Sequence, residues 1–223
     1  MIDFAAARRT MVDGQVRTYD VTDLRVLAAM LEVPRERFVP EEERAIAYSD
    51  GDLTVLKSKA GRPARRLLKP AVLARLIQAV EVEASDRVLD VGCATGYSAA
   101  FLARLAGSVV ALEEDPGLAA TARQTLASVG AANVSVVTGP LAAGVPTQAP
   151  FNVILLDGAT EIAPKNLFGQ LANDGRLVCV VGAAPLGKAT IYRSASGHVT
   201  GQSLFDAAAS VLPGFAKPAE FVF

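Results

Sequence analysis

The sequence predicts a doubly wound α/β fold, in which a seven-stranded, mostly parallel sheet follows an N-terminal helical segment. Residues 81–223 alternate short apolar runs with helix-like stretches, a pattern typical of consecutive strand–helix units. The alternation ends in a hairpin-like stretch, which adds an antiparallel edge to the sheet. Residues 1–80 show helical periodicity instead. We expect this segment to cover one side of the sheet and to form one compact unit with it.

Each element of this prediction has its own signal. Pro70 favours the start of a helix that closes the N-terminal segment, because proline suits the first helical turn. Five apolar runs predict strands, namely RVLDVG at 87–92, SVVALEED at 108–115, NVSVVTG at 133–139, FNVILLDG at 151–158 and GRLVCVVG at 175–182. Helices are predicted over 96–106 and 116–130, with a short one within 165–175. The stretch KATIYRSASGHVTGQSLFD, residues 188–206, predicts a hairpin that turns at Ser196 and Gly197.

Composition narrows the function classes. Hydrophobic residues make up 51% of the 223 residues and charged residues 20%, so the chain can build a large core. A net charge of −1 argues against nucleic-acid binding and against an anionic membrane surface. Neither a secretory signal nor a membrane-spanning stretch is apparent. The two cysteines lie far apart, which argues against a disulfide framework or a zinc site and favours the cytoplasm. Nothing in the sequence indicates an oligomeric state.

The loop after the first strand of the alternation is the strongest candidate for a ligand site, because ligands of open α/β sheets bind beyond the carboxyl ends of the strands. Its pattern is Asp90-x-Gly92-x-x-x-Gly96. A phosphate-binding Walker loop is excluded, since Gly96 is followed by Tyr97 and not by Lys-Ser/Thr. The glycine spacing also differs from the dinucleotide fingerprint.

An acid in this loop repels a pyrophosphate and suits a cation. S-adenosylmethionine offers an ammonium and a sulfonium and has no phosphate, so it is the predicted cofactor. Glu113 ends the second strand, about 20 residues on, where an acid can bind both ribose hydroxyls. A solvated strand end is the alternative interpretation of both acids, and helix packing that of Tyr97. The predicted cofactor-binding residues are Asp90, Gly92, Cys93 through its backbone, Ala94, Gly96, Tyr97, Glu113 and Leu141.

These residues also carry a family resemblance. RVLDVGCATGYSAAFLARLAGSVVALE is similar to the cofactor half of Rossmann-like class I methyltransferases. The upstream stretch, with PRERFVP at 34–40 and AYSD at 47–50, resembles the N-terminal region of protein-L-isoaspartate O-methyltransferases. The likeness covers roughly residues 8 to 183. It implies S-adenosylmethionine-dependent methylation of isoaspartyl carboxylates in peptides or proteins, a repair reaction, with the N-terminal segment on the substrate side.

The sequence departs from this family in the stretch GRPARRLLKP. Arg66 and Leu68 stand where the family carries a threonine and a serine that position the substrate. A carboxylate is already ionised at pH 7 and needs no general base, so the task of this stretch is positioning. Arg66 can pair with a carboxylate through two hydrogen bonds. We therefore predict that Arg66 holds the acceptor, and that the segment 65–70 faces it.

The residues at two predicted strand ends also differ from those of the family. The loop GPL at 139–141 lacks the family's aspartate near adenine, which leaves backbone and apolar contacts such as Leu141. Asp157 ends the fourth strand where the family has threonine or a small residue, near the transferred methyl. Asp157 is therefore a candidate base for a hydroxyl or amine acceptor, or else a structural cap.

Three functions remain open at this point. The first is methylation of an isoaspartyl peptide or protein, as the resemblance implies. The second is methylation of a different small-molecule or side-chain acceptor, for instance a small acidic one, with Asp157 as base. The third is cofactor binding without catalysis, because the two hydroxyls of the substrate site are missing.

Overall fold

The computed structural model describes residues 2–59 and 63–218. Its helices are α1 (Phe4–Met11), α2 (Leu24–Glu32), α3 (Pro70–Ala79), α4 (Tyr97–Leu102), α5 (Pro116–Ser128) and α6 (Lys165–Phe168). Its strands are β1 (Leu53–Leu56), β2 (Arg65–Leu67), β3 (Arg87–Val91), β4 (Ser108–Glu113), β5 (Val134–Thr138), β6 (Phe151–Thr160), β7 (Leu171–Val181), β8 (Lys188–Ala195) and β9 (His198–Asp206).

The main sheet has seven strands in the order β5-β4-β3-β6-β7-β8-β9. Strands β3 to β7 pair in parallel, and β8 and β9 add an antiparallel edge. The chain builds outward from β3 to β5 and then returns to place β6 on the other side of β3. The strand order therefore reverses between β3 and β6, which is where such sheets bind ligands. The predicted fold is confirmed, including the parallel order and the terminal hairpin.

Local sequence explains the main elements. Strand β3 is a mainly apolar run, and it is buried apart from its first residue. Helix α5 begins at Pro116, and the preceding Asp115 accepts hydrogen bonds from the first free amides of the helix. The β8–β9 turn needs positive φ at two residues, and Ser196 (49°) and Gly197 (80°) supply it.

The N-terminal segment contains the predicted helices and also a short two-stranded sheet that the sequence did not predict. Residues 53–56 and 65–67 form a two-stranded antiparallel sheet, with Leu53 opposite Leu67. In β1 the buried Leu53 and Val55 alternate with the half-buried Thr54 and Leu56, which is the period of a strand. The run is too short for periodicity to separate it from a loop. One buried apolar cluster extends from Met11 through α3 into the main sheet, while the predicted division at residue 80 remains a prediction.

Strand β6 is irregular where it leaves β3. Its pairing with β7 shifts between Leu155 and Ala159, so that Asp157 and Gly158 lie in a bulge. Beyond the bulge, Ala159 forms a parallel bridge with Val211. The amide of Ala159 donates to the Ser210 carbonyl (2.9 Å), and the Leu212 amide donates back to Ala159 (3.0 Å). Residues 210–213, which we call the C-terminal cover, thus run along the extension of β6.

In the described ranges, no helix combines the length and the apolar character that crossing a bilayer requires.

Candidate functional site

The loop after β3 turns sharply at two glycines. Gly92 (φ +86°) and Gly96 (φ +95°) adopt left-handed conformations that disfavour a side chain. The amides of Gly92 and Cys93 both donate to the Leu112 carbonyl on β4, at 2.8 and 3.2 Å. This holds the loop against the end of β4. The predicted glycine positions therefore have the geometry of a close backbone approach.

Two buried carboxyl groups lie where the strand order reverses. Asp90 on β3 is fully buried, and its Oδ2 accepts a hydrogen bond from Ser98 Oγ at 2.7 Å. Within the described part of the chain, Oδ1 of Asp90 and Oδ1 of Asp157 are buried and find no hydrogen-bond partner. Burial raises the pKa of Asp90 well above its ordinary range, and the Asp157 charge adds to this. Burial also raises the pKa of Asp157 to about 6. An approaching cation would satisfy both unpartnered oxygens.

Glu113 ends β4 with four hydrogen-bond donors around its carboxylate. The Ala94 amide donates to Oε2 at 2.8 Å. The amides of Glu114 (2.9 Å) and Asp115 (3.0 Å) donate to Oε1. The fourth donor is Nη1 of Arg65, at 2.7 Å from Oε1. The side chain of Glu113 is fully buried, so the alternative of a solvated strand end was wrong for this residue.

Arg65 reaches this site from β2. Besides its ion pair with Glu113, its Nη2 donates to the Gly92 carbonyl at 3.0 Å. That the segment Arg65–Pro70 faces the acceptor stays a prediction, and the Arg65 guanidinium itself lies in the loop predicted to hold the cofactor. Lys69 also points elsewhere, because its Nζ pairs with Asp50 at 2.9 Å.

The C-terminal cover places Leu212 over the same loop. A Cβ built on Gly92 would lie 2.9 Å from Cδ1 of Leu212 and 3.2 Å from Nη2 of Arg65. A Cβ on Gly158 would lie 2.6 Å from Cγ of Leu212. Leu212 thus fills the space above both glycines, and Arg65 shares the space above Gly92.

Among the described residues, Arg65 lines two separate cavities. The larger, about 210 Å³, lies beside the end of β4, against Leu56, Pro63, Glu114, Asp115, Pro116 and Pro213. The smaller, about 10 Å³, has room for a single water. It brings together the two candidate catalytic residues, Asp157 and Arg66, and adds Asp52. Arg66 is exposed, and its contact with an acceptor remains a prediction.

The other predicted residues are packed into the protein. Cys93 is fully buried, and burial raises the pKa of its thiol, which agrees with a role for its backbone alone. The Tyr97 ring packs against Phe38, with centroids 5.6 Å apart, and against the guanidinium of Arg35 at 4.6 Å. Leu141 is fully buried in the apolar cluster on one face of the sheet. Direct cofactor contacts of these side chains remain predictions.

Arg35 connects this packing to the acceptor side. It is fully buried, and its Nε donates to the Ala47 carbonyl at 3.0 Å and its Nη2 to the Leu68 carbonyl at 2.8 Å. The neighbouring Lys69 amide donates to Asp52 at 2.7 Å. The chain that leaves β2 is therefore fixed at two consecutive residues.

Three residues of the site escaped the sequence interpretation. Ser98 lies eight residues after Asp90 in the helix that follows the loop, and that position was a usable signal. Arg65 belongs to a basic run, which gave no indication of a buried partner 48 residues away. No pattern in the sequence indicated that Leu212 packs on Gly92.

Comparisons with known proteins agree with this geometry. Residues 7–206 match the family model described as "Protein-L-isoaspartate(D-aspartate) O-methyltransferase (PCMT)". A "Protein-L-isoaspartate O-methyltransferase" of Koribacter versatilis is 38% identical over 203 residues, covering 91% of this chain and 89% of the relative. A "Protein-L-isoaspartate O-methyltransferase 2" of Anaeromyxobacter sp. is 43% identical over 171 residues, covering 77% and 68%.

Solved structures show the same fold. A protein-L-isoaspartate O-methyltransferase aligns with a TM-score of 0.81 at 24% identity, over 93% of this chain and 66% of the other, slightly less than two thirds of its length. A Plasmodium falciparum structure, titled as a putative enzyme of this kind in complex with S-adenosyl-L-homocysteine, aligns with a TM-score of 0.74 at 18% identity, over 92% and 97%. The chain belongs to the protein-L-isoaspartate O-methyltransferase family.

Proposed function

We propose that this protein transfers a methyl group from S-adenosylmethionine to the carboxylate of isoaspartyl residues in peptides or proteins. The observation that carries the proposal is the site at the strand-order reversal, where a glycine loop, a buried Asp90 and Glu113 lie together in a member of this family. The curated relatives are named for this activity. The resemblance of the N-terminal segment and the match over residues 7–206 extend the support to the acceptor side.

The residues of the site fit the chemistry of the cofactor. The unpartnered Oδ1 of Asp90 is suited to a cation, and Glu113 is held in place by three backbone amides that do not depend on Arg65. Gly92 supplies a carbonyl that an ammonium group can approach. When bound, S-adenosylmethionine supplies an activated methyl on its sulfonium. The room it needs is filled by Arg65 and Leu212, so these side chains have to move.

The chain's own part in the reaction is to orient the acceptor and to exclude water. Arg66 lies beside the small cavity at Asp157 and is placed to bind the acceptor carboxylate. No proton has to be removed from an ionised carboxylate, so no residue needs to act as a base. The negative charge of Asp157 opposes a second carboxylate nearby, and it weakens when Asp157 is protonated.

The test is methyl transfer from labelled S-adenosylmethionine to an isoaspartyl peptide, with the aspartyl peptide of the same sequence as control. We expect base-labile label on the isoaspartyl peptide alone. If the protein binds S-adenosylhomocysteine and neither peptide is labelled, isoaspartyl methylation is refuted and a role in binding without catalysis is favoured.

A second candidate is methyl transfer to a hydroxyl or amine acceptor, a small acidic molecule being one class. A pKa of about 6 suits Asp157 to accept a proton near neutral pH, and Arg66 beside it suits an acidic group of the same molecule. Under this function Asp157→Asn abolishes transfer, while S-adenosylhomocysteine affinity changes less than about threefold. Under isoaspartyl methylation the same variant retains transfer, because no base is needed.

The cytoplasm is the compartment we propose, on the strength of the two free, buried cysteines.

A further inference from the structure

Arg65 engages the two groups that the cofactor needs. Glu113 is predicted to bind the ribose hydroxyls, and the Gly92 carbonyl is the group that the proposed function offers to the ammonium. In the structure one guanidinium binds both, at 2.7 Å to Oε1 of Glu113 and at 3.0 Å to the Gly92 carbonyl. The Arg65 side chain is 6% exposed, so the interaction is shielded from water and from salt. A ligand that uses these groups has to replace Arg65.

Arg65 also separates the two cavities of the site, since its side chain lines both of them. The larger cavity lies at the end of β4 and the smaller one at Asp157. Volumes of about 210 and 10 Å³ are each below the roughly 300 Å³ of a typical ligand pocket. A ligand that extends from Glu113 to Asp157 needs both cavities joined into one cleft. Withdrawal of Arg65 and Leu212 would join them, since Arg65 lines both and Leu212 lines the smaller.

The residue that completes the obstruction comes from a part of the chain outside the family match. The match ends at residue 206, whereas Leu212 belongs to the C-terminal cover. Two backbone hydrogen bonds attach the cover to Ala159, at 2.9 and 3.0 Å, and a third, from the Glu161 amide to the Phe215 carbonyl at 2.9 Å, holds the chain just beyond it. Opening of the cover is therefore a local event that breaks the two bonds to Ala159. Leu212 itself is 5% exposed and packs on Gly92 and Gly158.

We propose that Arg65, backed by Leu212, is an internal competitor of the cofactor that sets the affinity and the rate at which this protein takes up S-adenosylmethionine. The inference rests on the proposed function, because it takes the cofactor from there. In the resting protein the Arg65–Glu113 pair closes the cleft. Cofactor binding breaks this pair and lifts Leu212, while the three backbone amides keep Glu113 in position.

The first test measures S-adenosylhomocysteine binding by isothermal titration calorimetry. If the cleft is open for less than about a tenth of the time, Arg65→Ala tightens the dissociation constant by about tenfold or more. Leu212→Ala tightens it in the same direction without touching a charge. The matched control is Arg176→Ala, which removes an ion pair of the same length, to the buried Asp86 at 2.7 Å, away from the site. The control should bind within about twofold of the wild type. Equal or weaker binding by Arg65→Ala, or no binding by any variant, overturns the proposal.

The second test uses the unmodified protein, so that it holds even if a variant does not fold. Hydrogen exchange is followed with and without S-adenosylhomocysteine. Most ligands slow the exchange of the amides they cover. Here we expect faster exchange at Leu212 and Ala159, whose amides attach the C-terminal cover. Unchanged or slower exchange at both amides, at a ligand concentration that saturates the site, overturns the proposal.

These tests separate the inference from the proposed function. Tighter binding by Arg65→Ala with no methylation of the isoaspartyl peptide supports the competitor and refutes the function. Methylation of the isoaspartyl peptide by the wild type, with equal S-adenosylhomocysteine affinities in all variants, supports the function and refutes the competitor.

Discussion

Asp157→Asn is the substitution whose effect on stability the structure defines best. Asp157 is 3% exposed, and burial raises its pKa from an ordinary value of 3.8 to about 6. The folded protein therefore holds a proton on this group at a pH at which the unfolded chain has lost it. The contribution of Asp157 to the unfolding free energy is then fully present below pH 3.8 and is lost as the pH rises from 3.8 through about 6. Above that range the contribution stays constant.

The magnitude follows from that rise of the pKa. From 3.8 to about 6, at about 1.4 kcal/mol for each pH unit, ionisation of Asp157 costs about 3 kcal/mol of unfolding free energy at pH 7. Asparagine has nearly the same shape and no charge to lose. The unfolding free energy of the variant should therefore increase relative to that of the wild type as the pH rises. Removal of the Asp157 charge also relieves Asp90, whose pKa it raises, and this effect has the same sign.

The assay is urea unfolding of both proteins between pH 4 and 8, compared as the difference in unfolding free energy. We expect a difference near zero at pH 4 that grows to about 3 kcal/mol in favour of the variant at pH 7 and then stays level. Asp206→Asn is the control, because Lys188 lowers the pKa of the exposed Asp206 and the sign is opposite. A difference that does not depend on pH refutes the reasoning.

Three further predictions concern the same site. Gly92→Ala should lower the unfolding free energy, measured by urea titration, by more than about 1 kcal/mol, because φ is +86° and Leu212 occupies the space that a Cβ needs. Gly14→Ala is the control, since open space surrounds Gly14 and the substitution should cost nothing. S-adenosylhomocysteine binding should release a proton, because the ammonium of the ligand lowers the raised pKa of Asp90. Calorimetry in buffers of different ionisation heat measures this proton. Proton uptake, or no proton exchange, contradicts the prediction. Arg66→Gln should raise KM for an isoaspartyl peptide about tenfold and leave S-adenosylhomocysteine affinity unchanged, in a steady-state assay beside calorimetry; an unchanged KM argues against contact with the acceptor.

The sequence was most informative where each signal is local. The apolar runs and the glycine pattern predicted the parallel sheet, because burial on both faces leaves a direct mark on a strand. Asp90 and Glu113 were placed correctly at the ends of neighbouring strands for the same reason. The short strand β2 left no such mark, and its three residues contain the arginine that controls the space in the site.

What the sequence did not reveal depends on contacts between distant residues. Arg65 is equally basic whether it is solvated or paired with a buried carboxylate 48 positions away, and only the fold decides which. The sequence likewise shows Leu212 only as an apolar residue. Its position in the site depends on the bulge in β6, beyond which Ala159 pairs with the C-terminal cover. Function was inferred from the loop and the family pattern, whereas the control of that function lies in these tertiary contacts.

Arg35 has a consequence for the kinetics of cofactor uptake. By holding the Leu68 carbonyl, and with Asp52 holding the Lys69 amide, it anchors the backbone three residues after Arg65. Strand β2 cannot slide out as a unit while these bonds last. The departure of Arg65 is then a rotation of one side chain, whereas lifting Leu212 moves the backbone of the C-terminal cover, which is the slower motion. We therefore expect stopped-flow binding rates that level off at high ligand concentration, where opening of the cover limits uptake.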